Sequence, residues 1–324
     1  MNILVVGATG LLGGRISESL IGQGHRVILG IRDLGKKNYF DSASMEMLLV
    51  DLESVAGLSD DLDGIDLIIY VAGLNSVDSQ VSPSKAMIIR GIGTKQLIDA
   101  AVRSRVKKFI YISSAHVYNN PLIGCFDEKS PLLNETIYAL SHRAGEDALI
   151  KSIGNGDIEG FILRVSNGFG RPIDKRVNCW SLLANDLCRQ GIEEGVFTLR
   201  GDVSSVRNFI SITEICRAIN FCIENLPFRI DDKKTLIANL GGKMTLTTLE
   251  VANIIRSRFI ETMQIAPSIR FTDKLEADRN ILNIRNSLVY KNITLERVGY
   301  SSKDDFLSEI DGLIDFCYKN FITN

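Results

Sequence analysis

Three glycines near the start of the chain have the spacing of a phosphate-binding turn. Gly7, Gly10 and Gly13 form a G-x-x-G-x-x-G pattern between the apolar run 3–6 and the amphipathic segment 11–22. The first glycine permits a sharp turn, the second lets the backbone approach a pyrophosphate, and the third lets the helix pack on the sheet. The helix N-terminus offers free N–H groups and a positive dipole end to phosphates. The pattern predicts a dinucleotide-binding turn; the alternative is a merely tight strand-to-helix turn.

The next two apolar runs end in residues that could contact an adenosine. Arg32 and Asp33 follow the second run. An acidic residue there would bind the ribose 2′-hydroxyl of NAD, whereas an arginine accommodates the 2′-phosphate of NADP. Arg32 favours NADP over NAD, but Asp33 could compete if the strand ends one residue later. After the third run, Asp51, followed by Leu52, could receive the adenine amino group or cap a helix.

Apolar runs and amphipathic segments alternate through the first half of the chain. Runs that are apolar on both faces are typical of strands in a parallel sheet covered by helices. The predicted strands are 3–6, 27–31, 47–50, 67–72, 109–113 and 161–165, and the predicted helices are 11–22, 84–103 and 137–152. This alternation predicts an α/β fold with a doubly wound parallel sheet.

The pattern changes after residue 165. Predicted helices at 179–190, 213–225, 245–258 and 305–320 mix with short strands at 197–199, 209–211 and 236–240. We expect a dinucleotide-binding domain at 1–165, to which 212–241 returns, and a smaller C-terminal α+β substrate-binding lobe from 166–211 and 242–324.

Composition argues against several classes of protein. The 324 residues are 45% hydrophobic and carry a formal net charge of −2, so the chain lacks the basic footprint of a nucleic-acid binder. Six scattered cysteines without a C-x-x-C pair fit reduced thiols and predict no metal site. The apolar runs are far shorter than the roughly 20 residues of a membrane span, and the N-terminus does not look like a signal peptide. We expect a cytoplasmic protein without a membrane partner.

Beyond the glycine turn, an ordered series of motifs extends along nearly the whole chain. It consists of Tyr70-Val71-Ala72-Gly73, Gly93-Thr94, the segment 111–118, Tyr138-Ala139-Leu140-Ser141-His142, the segments 163–170 and 206–210, and Asn239-Leu240-Gly241-Gly242. This series resembles the extended short-chain dehydrogenase/reductase family, and within it the sugar-nucleotide epimerases, dehydratases and reductases. The resemblance implies a Rossmann fold, an NADP or NAD cofactor and a nucleotide-sugar substrate. The expected cofactor-binding residues are Gly7, Thr9, Gly10, Leu11, Leu12, Gly13, Arg32, Asp51, Leu52, Val71, Ala72, Gly73, Tyr138 and His142.

The resemblance also implies the catalytic residues. Ser114 would hydrogen-bond the substrate oxygen, and Tyr138, the tyrosine of a Y-x-x-x-K motif, would be the general acid/base. Hydride transfer to a carbonyl needs a proton donor at the nascent alkoxide, and a tyrosine with a pKa near ~10 must be shifted toward neutrality to cycle efficiently. In the family the lysine binds the ribose hydroxyls and lowers the tyrosine pKa, and the i, i+4 spacing places both side chains on one helix face.

His142 stands where that lysine is expected. A neutral imidazole can donate to a ribose hydroxyl, but it need not carry a charge at pH 7, so its effect on the tyrosine pKa would weaken. Three interpretations remain open. His142 substitutes functionally, the protein binds its ligands but turns over poorly, or Tyr138 is an ordinary half-buried helix residue.

Two further residues match substrate-binding positions of the family. Asn167 and Arg207 correspond to residues that hold the substrate diphosphate, a role that suits the planar fork of an arginine. The alternatives are a turn residue for Asn167 and a surface ion pair for Arg207. Arg171 and Arg176 are possible additional phosphate contacts.

Other positions depart from the family pattern. Arg90 stands where the family usually has an asparagine, Val165 replaces a frequent proline, and Asn208 replaces an aspartate. Arg90 puts the usual active-site water or helix-bend arrangement in doubt, unless it is a solvated surface charge.

The family resemblance also implies a homodimer built on a four-helix bundle from the helices around 84–103 and 138–152. Ile88, Ile92, Leu97 and Ala101 could form its apolar stripe, or they could face the sheet.

Three functions are consistent with the sequence. The first is an NAD(P)-dependent oxidoreductase, epimerase or dehydratase of a nucleotide-linked keto-sugar. The second is a dinucleotide-binding protein without catalysis, and the third is a reductase of small non-nucleotide carbonyls.

Overall fold

A parallel sheet forms the centre of the protein. The computed structural model describes residues 1–40, 45–53, 62–226, 236–272, 287–303 and 305–322. Its strands are β1 (Asn2–Val6), β2 (Arg26–Ile31), β3 (Glu46–Leu49), β4 (Leu67–Tyr70), β5 (Lys108–Ser114), β6 (Gly124–Phe126), β7 (Glu159–Val165), β8 (Asn167–Phe169), β9 (Val196–Leu199), β10 (Val206–Ser211), β11 (Leu236–Leu240), β12 (Met244–Thr247), β13 (Ser268–Phe271) and β14 (Leu288–Tyr290). Seven of them pair in the order β11-β7-β5-β4-β1-β2-β3, and all of these pairs are parallel.

Helices cover both faces of this sheet. They are α1 (Leu11–Gly22), α2 (Ser76–Val81), α3 (Pro83–Met87), α4 (Thr94–Arg103), α5 (Ile137–Asn155), α6 (Leu183–Glu193), α7 (Ile212–Asn225), α8 (Thr248–Met263), α9 (Ile293–Arg297) and α10 (Phe306–Phe321). Short 3₁₀ turns span Leu34–Tyr39 and Ala115–Val117. Two apolar cores form, one on each face, because alternate residues of the central strands point to opposite sides. The predicted doubly wound α/β fold is confirmed.

The order of the strands creates a crevice at the carboxyl edge of the sheet. β1 lies between β2 and β4. The chain continues from β1 to β2 and β3 on one side, and then crosses to β4 on the other side. Ligands of such sheets bind in this crevice, at the point where the strand order reverses. The fold therefore places the glycine turn after β1 beside the ends of β2 and β4.

A second group of strands and helices lies beyond the carboxyl edge of the parallel sheet. β10 pairs in parallel with β8 and antiparallel with β12, and a separate aromatic-rich core lies between these strands and the helices α6, α8 and α10. These elements come from the segments that we predict to form the substrate-binding lobe. The exact division of the chain into domains stays a prediction.

The predicted helix 84–103 is wrong in its middle part. α3 and α4 are separated by a π-helical segment, Ile88–Gly93. Of the proposed dimer stripe, Leu97 and Ala101 are fully buried in the core on that face of the sheet, whereas Ile92 is 55% exposed. These residues therefore do not form one continuous exposed stripe.

Two other predicted helices begin later than expected. α6 starts at Leu183, because residues 179–182 form a turn in which Leu182 N–H donates to the Cys179 carbonyl. α8 starts at Thr248, where Thr247 and Glu250 form a reciprocal capping box. The residues before that cap pair with β10 as strand β12 instead of continuing the helix.

The described ranges lack two kinds of feature, a membrane-spanning helix and a cluster of metal-binding side chains. No helix there has the length and hydropathy needed to span a bilayer. The same ranges contain no group of three or more His, Cys, Asp or Glu side chains arranged to hold a metal ion.

Candidate cofactor and active-site cleft

A cleft of about 700 Å³ follows the carboxyl edge of the sheet. It starts at the glycine turn, passes the ends of β2 and β4, and continues to the end of β5, the start of α5 and the strand β8. Its volume lies within the range of small-molecule and cofactor sites. One continuous cleft thus joins the predicted cofactor turn to Ser114 and Tyr138, two of the predicted catalytic residues.

The glycine turn fits a dinucleotide pyrophosphate. Gly7 has a φ of +95°, and a Cβ atom there would lie 2.8 Å from the backbone of Ala72. A Cβ on Gly13 would lie 2.1 Å from the Gly7 carbonyl oxygen, so only glycine lets α1 approach the strand this closely. Gly10 precedes α1, whose first turn has no side-chain cap and no acidic residue. Its N–H groups are therefore available to an anion beside Gly10 and Leu11, which line the cleft.

Basic and acidic side chains meet at the end of the cleft beyond β2. Arg32, Asp33 and Lys36 line it together with Glu53. Nη1 of Arg32 lies 2.7 Å from the Glu53 carboxylate, which also pairs with Lys85 at 2.8 Å. The hydrogen bond from Lys85, helped by Arg32, lowers the pKa of the Glu53 carboxyl.

Asp33 is engaged locally. Its carboxylate accepts a hydrogen bond of 2.8 Å from the Gly35 N–H and caps the 3₁₀ turn that follows β2. Beside that turn, the Arg176 guanidinium lies 4.4 Å from the centroid of the Tyr39 ring, and both residues line the cleft. Arg176 is one of the two possible additional phosphate contacts named from the sequence, whereas no role is predicted for Tyr39.

The other end of the cleft holds three of the predicted catalytic and substrate-binding residues: Ser114, Tyr138 and Asn167. The Ser114 hydroxyl oxygen accepts a hydrogen bond of 3.2 Å from the His116 N–H, which leaves the hydroxyl hydrogen available to a ligand. Asn167 donates to the Asn208 carbonyl at 2.9 Å, and its Oδ1 lies 3.4 Å from Nε2 of His116. The resemblance assigned no role to His116, although it also lines this end.

His142 lies behind Tyr138 and is not among the residues that line the cleft. Its side chain is buried, and neither ring nitrogen has a hydrogen-bond partner among the described residues. Burial, reinforced by the positive charge of Arg90 and by His116, holds the pKa of His142 well below its usual value. The imidazole is therefore uncharged at neutral pH. Its predicted contact with the cofactor ribose stays a prediction.

Arg90 is not the solvated surface charge that the sequence allowed. It is only 6% exposed, lines the cleft, and places its guanidinium carbon 5.0 Å from the centroid of the Tyr138 ring. The sequence did not predict the burial of Arg90, because the helical pattern continues through residue 90 and gives no sign of the π-helical segment. An arginine among apolar residues, with Gly91 and Gly93 beside it, was the available signal.

The remaining predicted residues fall into two groups. Thr9, Leu12, Leu52, Val71, Ala72 and Gly73 line the cleft. Gly13, Asp51 and Arg207 are not among the lining residues. Asp51 accepts a hydrogen bond of 3.0 Å from the Glu53 N–H, and Arg207 is exposed on β10.

Ser166, to which no role was assigned, lines the cleft with a buried hydroxyl that has no partner in the described part of the chain.

Comparison with known proteins shows the family of this chain. The model of the NAD dependent epimerase/dehydratase family matches residues 3–234. A low-salt glycan biosynthesis protein, Agl12, of Haloferax volcanii is 24% identical over 79% of this chain and 81% of its own length. A dTDP-glucose 4,6-dehydratase of Streptomyces antibioticus is 22% identical over 99% of this chain and 93% of its own length.

Solved structures show the same fold. A UDP-glucose 4-epimerase of Thermotoga maritima with UDP-glucose superposes with a TM-score of 0.81 at 16% identity, over 98% of this chain and 99% of the other. A dTDP-glucose 4,6-dehydratase of Streptomyces venezuelae with NAD bound superposes with a TM-score of 0.77 at 19% identity, over 99% and 98% of the two chains. The family match covers well over half of the sequence, and this chain belongs to the NAD dependent epimerase/dehydratase family.

Proposed function

We propose that this protein is an NAD(P)-dependent enzyme that acts on a nucleotide-linked sugar by hydride transfer. The observation that carries the proposal is the continuity of the cleft, which begins at the glycine turn and ends at Ser114, Tyr138 and Asn167. When bound, the nicotinamide cofactor supplies the hydride donor or acceptor. The relatives named above support a sugar-nucleotide substrate.

Ser114 and Tyr138 have different roles at the reacting oxygen of the substrate. The free hydroxyl hydrogen of Ser114 donates to the substrate oxygen and fixes its position. The phenol of Tyr138 gives its proton to that oxygen when a carbonyl is reduced, and it takes the proton back when an alcohol is oxidised. Such positioned proton transfer typically contributes a factor of about 10² to 10⁴ in rate.

Asn167 supports binding of the substrate near these residues, since it lines the same end of the cleft. We keep Arg207 as a proposed ligand of the substrate diphosphate, although its side chain is exposed on β10 and outside the lining of the cleft. An Arg207→Ala variant that binds nucleotide sugars as tightly as the wild type would favour a small carbonyl substrate instead.

NADP is the proposed preferred cofactor. Arg32, Lys36 and Arg176 line the end of the cleft beyond β2, where they could surround a 2′-phosphate. Asp33, the residue that would favour NAD, has its carboxylate engaged with the Gly35 N–H. Glu53 opposes this preference, since its carboxylate pairs with Arg32.

The test is a panel of UDP-, dTDP-, GDP- and CDP-linked sugars, offered with NADPH, NADP⁺, NADH and NAD⁺. Products are followed by mass spectrometry and by the absorbance of reduced nicotinamide. We expect one nucleotide class to react, and Tyr138→Phe to reduce its turnover by about 10² or more. Full turnover in Tyr138→Phe would contradict the proposed mechanism.

A second candidate function is cofactor binding with little or no turnover. The uncharged state of His142 favours it, because no positive charge stands at the position of the family lysine. Tight NADPH binding without conversion of any panel sugar between neutral and alkaline pH would support this candidate. Conversion that is lost in Tyr138→Phe would eliminate it.

We also propose a homodimer, as the family resemblance implies. The exposed side chain of Ile92 lies at the π-helical segment, where it could contact a second copy. Light scattering at micromolar concentration tests this proposal, and a monomer would refute it.

A further inference from the structure

A buried guanidinium lines the middle of the cleft. Arg90 is 6% exposed and is one of the lining residues. Its Nη1 atom has no hydrogen-bond partner among the described residues. A guanidinium stays charged in proteins, and a buried charge without a partner is costly. A buried donor without a partner needs an explanation, and in a ligand cleft a bound ligand supplies one.

The surrounding backbone holds this arginine at the cleft. Arg90 lies in the π-helical segment between α3 and α4, a conformation that is frequent at functional sites. The Tyr70 hydroxyl donates to the Ile89 carbonyl, and the Thr94 hydroxyl donates to the Arg90 carbonyl, each at 2.6 Å. Two buried side chains thus satisfy carbonyl groups of the segment and stabilise its irregular backbone.

The titratable neighbours of Arg90 do not balance its charge. Arg90 influences the pKa of both Tyr111 and His142, so both side chains lie near it. Burial raises the pKa of the Tyr111 phenol and lowers that of the His142 imidazole, so both are uncharged at neutral pH. The buried Glu146 carboxylate on α5 is engaged by Arg164 through two hydrogen bonds of 3.0 and 2.6 Å.

The guanidinium lies between the glycine turn and the proposed acid/base. A Cβ atom on Gly7 would lie 2.8 Å from the backbone of Ala72, so the turn adjoins the end of β4. A Cβ on Gly73, the next residue, would lie 2.2 Å from the guanidinium carbon of Arg90, so only glycine leaves room for the guanidinium there. On its other side, the same carbon lies 5.0 Å from the centroid of the Tyr138 ring.

The order of groups in a dinucleotide identifies what lies beside Arg90. Its pyrophosphate is followed by the second ribose and then by the nicotinamide. With the pyrophosphate at the glycine turn and the nicotinamide beside Ser114 and Tyr138, the second ribose falls at the middle of the cleft. This is the part of the cleft that Arg90 lines.

The chemistry of the ribose suits a guanidinium. Its 2′ and 3′ hydroxyls are neighbours, and their oxygens accept hydrogen bonds. An arginine presents its donors in a rigid, planar fork that can contact two adjacent oxygens at once. His142, for which the family resemblance implies the ribose contact, is buried and is not among the residues that line the cleft.

We infer that Arg90 donates hydrogen bonds to the hydroxyl oxygens of the nicotinamide ribose, and thereby positions the nicotinamide beside Tyr138. The inference rests on the cofactor site of the proposed function. It assigns to the π-helical segment the ribose contact that the resemblance implies for His142.

The test compares two ligands that differ by the second ribose. ADP-ribose carries this ribose and ADP does not. Calorimetric titration gives the dissociation constant of each for the wild type and for Arg90→Met, which removes the donors. The 2′-phosphates of both ligands are used in the same way if the wild type binds them more tightly. Arg32→Ala is the matched control, since Arg32 lines the other end of the same cleft.

We expect Arg90→Met to bind ADP-ribose roughly ten- to a hundredfold more weakly, because hydrogen bonds from a charged donor to the ribose are lost. Its affinity for ADP should change by less than about threefold. Arg32→Ala should change the affinities for both ligands by the same factor.

Three results would overturn the inference. One is an unchanged affinity of Arg90→Met for ADP-ribose. Another is an equal loss for ADP and ADP-ribose, because Arg90 would then bind the pyrophosphate or only support the fold. The third is a loss of ADP-ribose affinity in His142→Leu without one in Arg90→Met, which would return the ribose contact to His142. If Arg90→Met does not fold, Arg90→Gln provides the same comparison.

These titrations need no turnover, so they separate the inference from the proposed function. A selective loss of ADP-ribose affinity in Arg90→Met, with no turnover of any panel sugar by the wild type, would reject the proposed catalysis and keep the ribose contact. Turnover that depends on Tyr138, with an unchanged affinity of Arg90→Met for ADP-ribose, would reject the role of Arg90 and keep the function.

Discussion

The rings of Tyr138 and His142 meet edge to face, with their centroids 4.7 Å apart and their planes at 72°. The two residues are one helical turn apart on α5, where side chains four positions apart are neighbours. This is the geometry of an aromatic packing pair, which prefers such T-shaped contacts. The side chain at the position that carries a lysine in the family therefore packs against the tyrosine ring in this protein.

The burial of His142 predicts a pH dependence of stability. Its folded-state pKa lies well below the ordinary value of 6.5, so below that pH the unfolded chain binds a proton that the folded chain does not. The contribution of His142 to the free energy of unfolding is fully present above pH 6.5. It is lost as the pH falls from the unfolded-state pKa towards the lower folded-state pKa. The slope is at most about 1.4 kcal/mol per pH unit.

Urea unfolding of the wild type and His142→Leu at mildly acidic and neutral pH measures this slope. The free energy of unfolding of the variant should fall less on acidification. His25→Gln is the control, since His25 is only half-buried near the N-terminal amine, and it should flatten the dependence less. Parallel acid losses in the wild type and His142→Leu would contradict the buried, uncharged state of His142.

A second prediction concerns the ion pair of Arg164 and Glu146, whose side chains are 4% and 1% exposed. Glu146→Gln leaves the guanidinium buried without a counter-charge, and loss of one partner of such a pair costs about 3–5 kcal/mol. The matched control is Glu46→Gln, because the Arg26–Glu46 pair is 61% and 50% exposed. The control should change the free energy of unfolding by less than about 1 kcal/mol. Equal effects of the two variants would show that the buried pair is not formed as described.

The glycine turn gives a third prediction. Gly13→Ala places a Cβ atom 2.1 Å from the Gly7 carbonyl oxygen, so the backbone of the turn must move. NADPH binding, measured by fluorescence titration, should weaken at least about tenfold, or about 1.4 kcal/mol. Gly22→Ala lies on the same helix, and no other element of the described ranges comes within 4 Å of the new Cβ, so this variant should bind NADPH like the wild type. Unchanged binding in Gly13→Ala would argue against this turn as the pyrophosphate site.

Arg32 carries the proposed preference for NADP. In Arg32→Ala, NADPH should bind roughly ten- to a hundredfold more weakly, because one charged hydrogen-bonding partner of the 2′-phosphate is lost. NADH binding should change little. The control is Arg26→Ala, because Arg26 lies at the start of the same strand and pairs with Glu46. This variant should bind NADPH and NADH as the wild type does. Equal losses for both cofactors in Arg32→Ala would contradict the preference.

Much of the fold could be predicted because its signals are local. The apolar runs of β1 and β2 and the glycine turn between strand and helix predict a Rossmann crossover, and the observed α1, Leu11–Gly22, has the predicted bounds. Such strands are apolar on both faces, so a single sequence is enough to recognise them.

The rest depends on contacts that a single sequence does not show. The π-helical segment Ile88–Gly93 has the apolar spacing of an ordinary helix, and its irregularity is stabilised by Tyr70 and Thr94 from other parts of the fold. For the same reason the motif series located Tyr138 and His142 but could not show that Arg90 packs on the tyrosine ring. The start of α8 was misplaced because Thr245, Thr247 and Thr248 are all plausible caps, and pairing of β12 with β10 decides between them.

The most direct test of hydride transfer is a rapid-mixing experiment on cofactor-loaded protein. Wild type and Tyr138→Phe are loaded with NADP⁺ or NAD⁺ and mixed with each nucleotide sugar, and the absorbance of bound reduced nicotinamide is followed in a single turnover. This signal forms even when the overall reaction leaves the cofactor unchanged. We predict a transient with one nucleotide class in the wild type, slowed by about 10² or more in Tyr138→Phe. An equally fast transient in Tyr138→Phe, or no transient with any nucleotide sugar, would contradict the account.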